Sequence, residues 1–237
     1  MKNTRISVMG QMFTLISVFE PKEYGEFVRT KNDKEITVLL HPSKIADFTV
    51  TIPETFGCAH SLYIEATVAA AAFLVNYRGL PLDEITFESG GQKIEVFHTG
   101  SDDFVVNVRK CKCLFTKHKI DVSGCEIECA VFPSFPCLCF VRSNDVSLFD
   151  AKNLKDVIFQ RLPNLLYAVA FQEKQGCVRA ILQSDHTRYR LDSLCVISLI
   201  SVLCGGRDIR GTFNGERFFA NICKDYMQIS LKAGPLK

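Results

Sequence analysis

Residues 65–75 read Glu-Ala-Thr-Val-Ala-Ala-Ala-Ala-Phe-Leu-Val, a run that is apolar on nearly every side of a helical projection. Alanine has the strongest intrinsic preference for the helix, and a helix that is apolar all round has to be enclosed by other structure. Ser61 stands where it can cap the start, and Gly79 where it can stop the end. A second run, Leu194-Cys-Val-Ile-Ser-Leu-Ile-Ser-Val-Leu203, follows the same logic, with Asp192 or Ser193 as the cap and Gly205-Gly206 as the stop. Its β-branched residues also suit a buried strand. The surroundings decide for helix, because they match those of the first run.

Those surroundings are stated twice. The first helix follows the alternating segment Asp47–Ile52 and precedes Arg78-Gly79-Leu80, the strand Ile85-Thr86-Phe87, a Gly90-Gly91 turn and the strand Lys93–Phe97. The second follows Cys177–Leu182 and precedes Gly205-Gly206, the strand Ile209–Phe213, an Asn214-Gly215 turn and the strand Arg217–Ile222. Alternation of period two argues for half-buried strands. The expected fold is therefore α+β: two pseudo-symmetric domains, each a β-barrel-like sheet wrapped around a central buried helix. The expected boundaries are 1–115 and 116–237, with the last strand free to return to the first domain. A cleft between two domains is a preferred place for a small ligand.

Elsewhere, Arg5–Phe19 reads as two strands about a turn at Gly10, and Glu35–Leu40 as another. Glu126–Phe132, Leu138–Val141, Tyr167–Gln172 and Gln228–Leu231 read as strands, and Ala151–Gln160 as a helix limited by Pro163.

With 47% apolar and 23% charged residues, the 237-residue chain can bury substantial cores. A net charge of +2 is too mild to argue for nucleic acid. The basic run Arg109, Lys110, Lys112, Lys117, Lys119 reads as a solvated edge or linker. No segment is long enough to span a bilayer and no signal-peptide core is present, so no membrane partner is expected. The eleven cysteines are then read as reduced thiols in a cytoplasmic protein.

The residues carry a resemblance. Met9-Gly10-Gln11-Met12-Phe13 looks like the N-terminal Gly-Asn-x-Phe segment of diaminopimelate epimerase and its relatives, the proline racemase-like and phenazine-biosynthesis isomerase-like proteins. Asp47–Leu74 and Arg78–Val96 follow that family's strand, loop, central helix and strand pair. Ser134-Phe135-Pro136-Cys137 falls on its Gly-Asn-Pro-His, Leu194–Gly206 on its second helix, and Ala233-Gly234-Pro235 on its closing Gly-Pro-Ala. The resemblance implies two barrel-like domains with a site between them, no cofactor, and a homodimer. It also implies two cysteines at the helix starts, acting as base and acid on opposite faces of an α-carbon. A helix start favours a thiolate, and its free N–H groups hold a substrate carboxylate.

This chain lacks both cysteines: Tyr63 (or Ile64) and Arg190 stand in their places, and Gln11 and Phe135 replace asparagines that hold substrate. The residues left as candidates are Tyr63 and His186 for acid–base chemistry, with Gln11, His60, Glu65 and Arg190 for substrate binding. Tyrosine near a guanidinium can exchange a proton, and arginine grips a carboxylate with two donors. Asp185-His186 also reads as a plain turn, and Glu65 complements the helix dipole whatever the function. The pairs Cys111-x-Cys113, Cys125-x3-Cys129 and Cys137-x-Cys139 lack zinc-ligand spacing, so no metal is expected. Two functions remain open. One is a divergent isomerase or epimerase-like protein that binds a small carboxylate or amino-acid-like metabolite in the cleft. The other is a non-catalytic relative that senses a ligand or binds a protein.

Overall fold

Alternating apolar residues set the strands. Thr4–Val8 (β1) and Gln11–Ser17 (β2) pair antiparallel with Ile6 opposite Phe13, so Ile6, Val8, Phe13 and Leu15 share one buried face. The computed structural model describes residues 4–17, 36–52, 63–80, 83–109, 115–122, 125–132, 135–143, 158–160, 165, 167–184 and 191–235. Ser61, Pro163 and residues 151–157 of the expected third helix lie outside these; residues 158–160 are helical.

The first unit continues with Ile36–Pro42 (β3), parallel to β2, and Phe48–Thr51 (β4), antiparallel to β3. The helix Tyr63–Arg78 (α1) then crosses to Glu84–Ser89 (β5), parallel to β4. Gln92–Gly100 (β6) and Asp103–Arg109 (β7) complete it as antiparallel neighbours. In the second unit Cys125–Phe132 (β9) and Phe135–Arg142 (β10) are antiparallel, and Tyr167–Lys174 (β11) is parallel to β10. Cys177–Ser184 (β12) is antiparallel to β11, and the helix Ser193–Leu203 (α2) crosses to Ile209–Phe213 (β13), parallel to β12. Glu216–Ile222 (β14) and Tyr226–Pro235 (β15) follow antiparallel. From β1 to β7 and from β9 to β15 the same succession of pairings is therefore made.

The two units interlock at a waist. β15 pairs with β7 over Tyr226–Lys232, and its next residues, Ala233–Pro235, pair with β1. That second pairing closes an eight-stranded barrel of β1–β7 and β15. Conversely, β7 leads through residues 110–115 into Thr116–Val122 (β8), which pairs with β9. Each unit thus lends one run of chain to the other.

Each barrel-like sheet encloses its helix. Ala66, Val68 and Ala69 through Ala72 of α1 have no solvent exposure, and neither do Leu194, Val196, Ile197, Leu199 and Ile200 of α2. Small side chains suit α1 because an eight-stranded barrel has an interior already crowded by its inward residues. Here those include Ile6, Phe13, Val38, Phe87, Val96 and Phe104, in one cluster with the helix. The bulkier α2 contributes Leu, Ile and Val side chains, each worth about 1.5–3 kcal/mol when buried.

The helix stops behave as read. Gly79 takes φ 63°, and Gly205 and Gly206 take 87° and 65°. Gly205 N–H donates to Val202 O and Gly206 N–H to Ser201 O, at 3.0 and 2.9 Å, which satisfies carbonyls the helix leaves open. Asn214-Gly215 forms a two-residue hairpin with both φ values positive, the geometry that matches strand twist. Lys117 on β8 is exposed and pairs with Glu128 at 2.6 Å, as a solvated edge does. No helix among the described residues is long and apolar enough to cross a membrane.

Gly211 tests the packing of β12 on β13. A β-carbon there would fall 1.7 Å from Val178 O, whereas one at Gly91, in the β5–β6 turn, meets nothing within 4 Å. Gly211→Ala is expected to cost about 3 kcal/mol in urea unfolding, since the strands must part. Gly91→Ala, whose φ of 75° only strains the backbone, should cost about 1 kcal/mol. Equal losses would mean that the close approach of β12 to β13 is not present.

Candidate functional site

A helix that crosses between two parallel strands starts where the first strand ends. The start of α1 therefore lies beyond the C-terminal ends of β4 and β5, and that of α2 beyond those of β12 and β13. Here the two helix starts meet each other.

One side chain joins them. Asp192 is the N-cap of α2, with φ −65° and ψ 116°, and its Oδ1 accepts from the backbone N–H groups of Leu194 and Cys195 at 2.9 and 3.1 Å. Its Oδ2 reaches across to α1 and accepts from the N–H groups of Ile64 and Glu65 at 3.0 and 2.9 Å. Glu65 answers from the other side: its Oε1 accepts from Ser193 N–H at 3.0 Å. Both carboxyls are 1% exposed. Five N–H groups that the helices leave without internal partners are thereby satisfied by two side chains.

The electrostatics follow from burial. Each helix start carries roughly half a positive charge, so two facing starts repel unless an anion lies between them. Burial pushes Asp192 up to about 6 even though four N–H groups favour its charged form. Glu65 is driven well above the ordinary carboxyl range, first by burial and then by the neighbouring charge of Asp192. Two adjacent buried carboxyls do not both ionise. Glu65 thus holds its proton more tightly than Asp192, and the pair favours a single negative charge between two positive helix ends.

Of the candidate residues, Glu65 sits at the centre of this junction. Tyr63 opens α1, with its side chain outside the described set, and His60, His186 and Arg190 lie outside it altogether. Gln11 starts β2, half-buried, with its Nε2 donating to Met12 O at 3.0 Å. Asp192 was read from sequence only as a cap. Its signal was nonetheless present: an acid opens each of two equivalent apolar helices, Glu65 in one and Asp192 in the other. Among the described residues, no three His, Cys, Asp or Glu side chains are grouped to hold a metal ion. A groove of about 330 Å³ lies along β12 and β13, lined by Arg179, Ile181, Thr212 and Asn214 among others. It includes none of the candidates.

No family model matches the chain, and no curated protein matches it. Solved structures do. A phenazine biosynthesis PhzF-family protein from Enterococcus faecalis superposes with a TM-score of 0.71 at 12% identity, over 99% of this chain and 96% of that one. A phenazine biosynthesis PhzC/PhzF protein from Clostridium difficile gives 0.67 at 15% identity, over 99% and 96%. A methylitaconate-delta-isomerase gives 0.51 at 7% identity, over 99% and 93%. The chain has the diaminopimelate epimerase-like fold that the resemblance implied, along its whole length.

Two outcomes are expected at the junction. Asp192→Ala leaves four helix-start N–H groups without their acceptor and should cost about 3 kcal/mol in urea unfolding. Sodium formate, supplying a free carboxylate, should raise the melting temperature of Asp192→Ala more than that of the parent, whereas sodium chloride should not. The second outcome concerns pH. Both carboxyls bind their protons more tightly folded than unfolded, so unfolding releases protons. The stability this contributes is complete below about pH 4, the unfolded range for carboxyls, and is lost as pH rises through the folded value, about 6 for Asp192. Urea unfolding from pH 4 to 8 should show a fall that is smaller in Glu65→Gln, whose amide keeps an acceptor for Ser193 N–H but cannot titrate.

Proposed function

We propose that this chain is a non-catalytic, ligand-binding relative of the isomerases that share its fold, with the meeting point of its two helices turned into a structural joint. One observation supports the reading above the others. The five N–H donors at the helix starts, the groups suited to hold a substrate carboxylate, are already filled by Asp192 and Glu65. An incoming carboxylate finds none of these donors open and meets the charge of Asp192 as well. The two positions where the resemblance places catalytic cysteines fit the same reading, because Tyr63 and Arg190 occupy them in sequence.

The ligand we propose remains a small carboxylate-bearing metabolite. It would be gripped by side chains rather than by helix starts. The sequence supplies suitable ones immediately before each helix: His60 ahead of the first, His186 and Arg190 ahead of the second. Arginine offers a bidentate grip on a carboxylate, and histidine a donor whose charge responds to pH.

A second reading is favoured by the proton that Glu65 retains. A carboxyl held neutral beside an ionised partner is the arrangement that acid–base enzymes use. On that reading the chain is a cofactor-independent isomerase in which Tyr63 and His186 carry the proton.

Both readings meet one experiment. The protein is incubated with a panel of amino and hydroxy acids in deuterated water, and α-proton loss is followed by NMR alongside thermal-shift measurements. The expected result is no exchange with any acid, with at least one raising the melting temperature and Arg190→Gln abolishing that rise. Exchange that disappears in Tyr63→Phe would establish the isomerase instead.

A further inference from the structure

The groove along β12 and β13 carries positive charge that its surroundings leave unmatched. Alternation turns Val178, Ala180, Ile209, Phe213 and Phe218 toward the core of the second barrel. It leaves Arg179, Arg210 and Arg217 exposed on the outer face, with Thr212 half-buried among them. The register gathers these four residues. Thr212 stands opposite Arg179 across the parallel pair and opposite Arg217 across the antiparallel pair. Arg210 precedes it by two residues on the same strand. Neighbouring strands lie about 4.8 Å apart and two residues span about 6.6 Å, so all three arginines start within reach of Thr212.

Three like charges gathered at one point of a sheet repel one another. Among the described residues, none of the three guanidinium groups makes an ion pair or a hydrogen bond, and the Thr212 hydroxyl has no partner. The neighbouring acids do not offset them. Asp208 Oδ1 accepts from Ile222 N–H at 2.7 Å, and Asp103 pairs with Lys232 at 3.9 Å. Glu216 has the parity of Phe218, toward the inner face. At the hairpin end, Asn214 Oδ1 accepts from Leu182 N–H at 2.9 Å, so what that side chain has left to offer is its amide N–H groups. The polar side chains of the groove and its flank are therefore donors. Beside them, Ala180 and Ile181 supply an apolar wall.

A carboxylate is matched by the fork of one guanidinium. Three guanidinium groups and a hydroxyl suit an anion of higher charge with three terminal oxygens, which is a phosphate monoester. At about 330 Å³ the groove also has room for a small organic body beyond the phosphate itself. We propose that this outer groove binds a small organic phosphate. The phosphate sits at Thr212, held by Arg179, Arg210 and Arg217, and the body lies along Ile181 toward Asn214. The sheet separates this site from α2 and the helix junction, so it is independent of a carboxylate ligand bound there.

The test is isothermal titration calorimetry on the whole protein in about 0.15 M sodium chloride, which screens diffuse attraction. Phenyl phosphate should bind one to one, about tenfold tighter than inorganic phosphate, which has no ring to cover Ile181. Benzoate should not displace it. Arg179→Gln, Arg210→Gln and Arg217→Gln should each weaken phenyl phosphate binding about tenfold. Lys117→Gln, which removes an equal charge from β8, should leave the affinity unchanged. Without ligand, Arg179→Gln should melt at the parent temperature. The proposal would be overturned by no saturable binding, by displacement with benzoate, or by equal affinity for inorganic phosphate. It would equally fall if Lys117→Gln matched the arginine variants, or if Arg179→Gln melted lower than the parent without ligand.

Discussion

A single carboxylate holds two helix starts together. Asp192 spends one oxygen on its own helix and the other on α1, 127 and 128 residues away along the chain. Without an anion there, two enclosed helices would point partial positive charges at each other inside a low-dielectric core, where such repulsion is strongest. Glu65 returns the contact to Ser193, and burial first, then the charge of Asp192, strengthens its hold on its proton. The joint is therefore matched in donors and in charge: five N–H groups, one anion and one neutral acid. Its geometry leaves little freedom in how the second unit sits on the first.

The interlocked strands act at the same place by different means. β7 and β15 lie side by side at the waist, and each continues into the other unit, β7 toward β8 and β15 onto β1. Parting the units would expose a long row of backbone donors and acceptors as well as the two carboxyls, and unpaired buried groups of this kind are costly. Carboxylate joint and exchanged strands together hold the two units in one continuous sheet, fifteen strands among the described residues.

A shared frame does not by itself carry a shared site. The frame is shared over nearly the full length with phenazine biosynthesis PhzF-family proteins and a methylitaconate-delta-isomerase, yet a fold is a scaffold on which a site must be separately built. The backbone groups suited to hold a ligand's carboxylate are consumed by the protein's own side chains.

Local physics made much of this legible in the chain. An alanine run marked the first enclosed helix and all-round apolarity both, alternation marked the strands, Asn214-Gly215 and Gly90-Gly91 marked hairpins, and Gly205-Gly206 marked a helix stop. The repeated order of these signals was enough to fix two related barrel-like units. Each signal depends on residues within a few positions of one another, which is why it can be read without coordinates. What Asp192 does on α1 and what Glu65 does on α2 depend on partners brought close only by the fold. Asp192 was visible as a cap for the helix that follows it, and nothing near it in sequence told of Ile64. Its raised proton affinity and that of Glu65 come from burial and from each other, and both arise only once the two helix starts are enclosed.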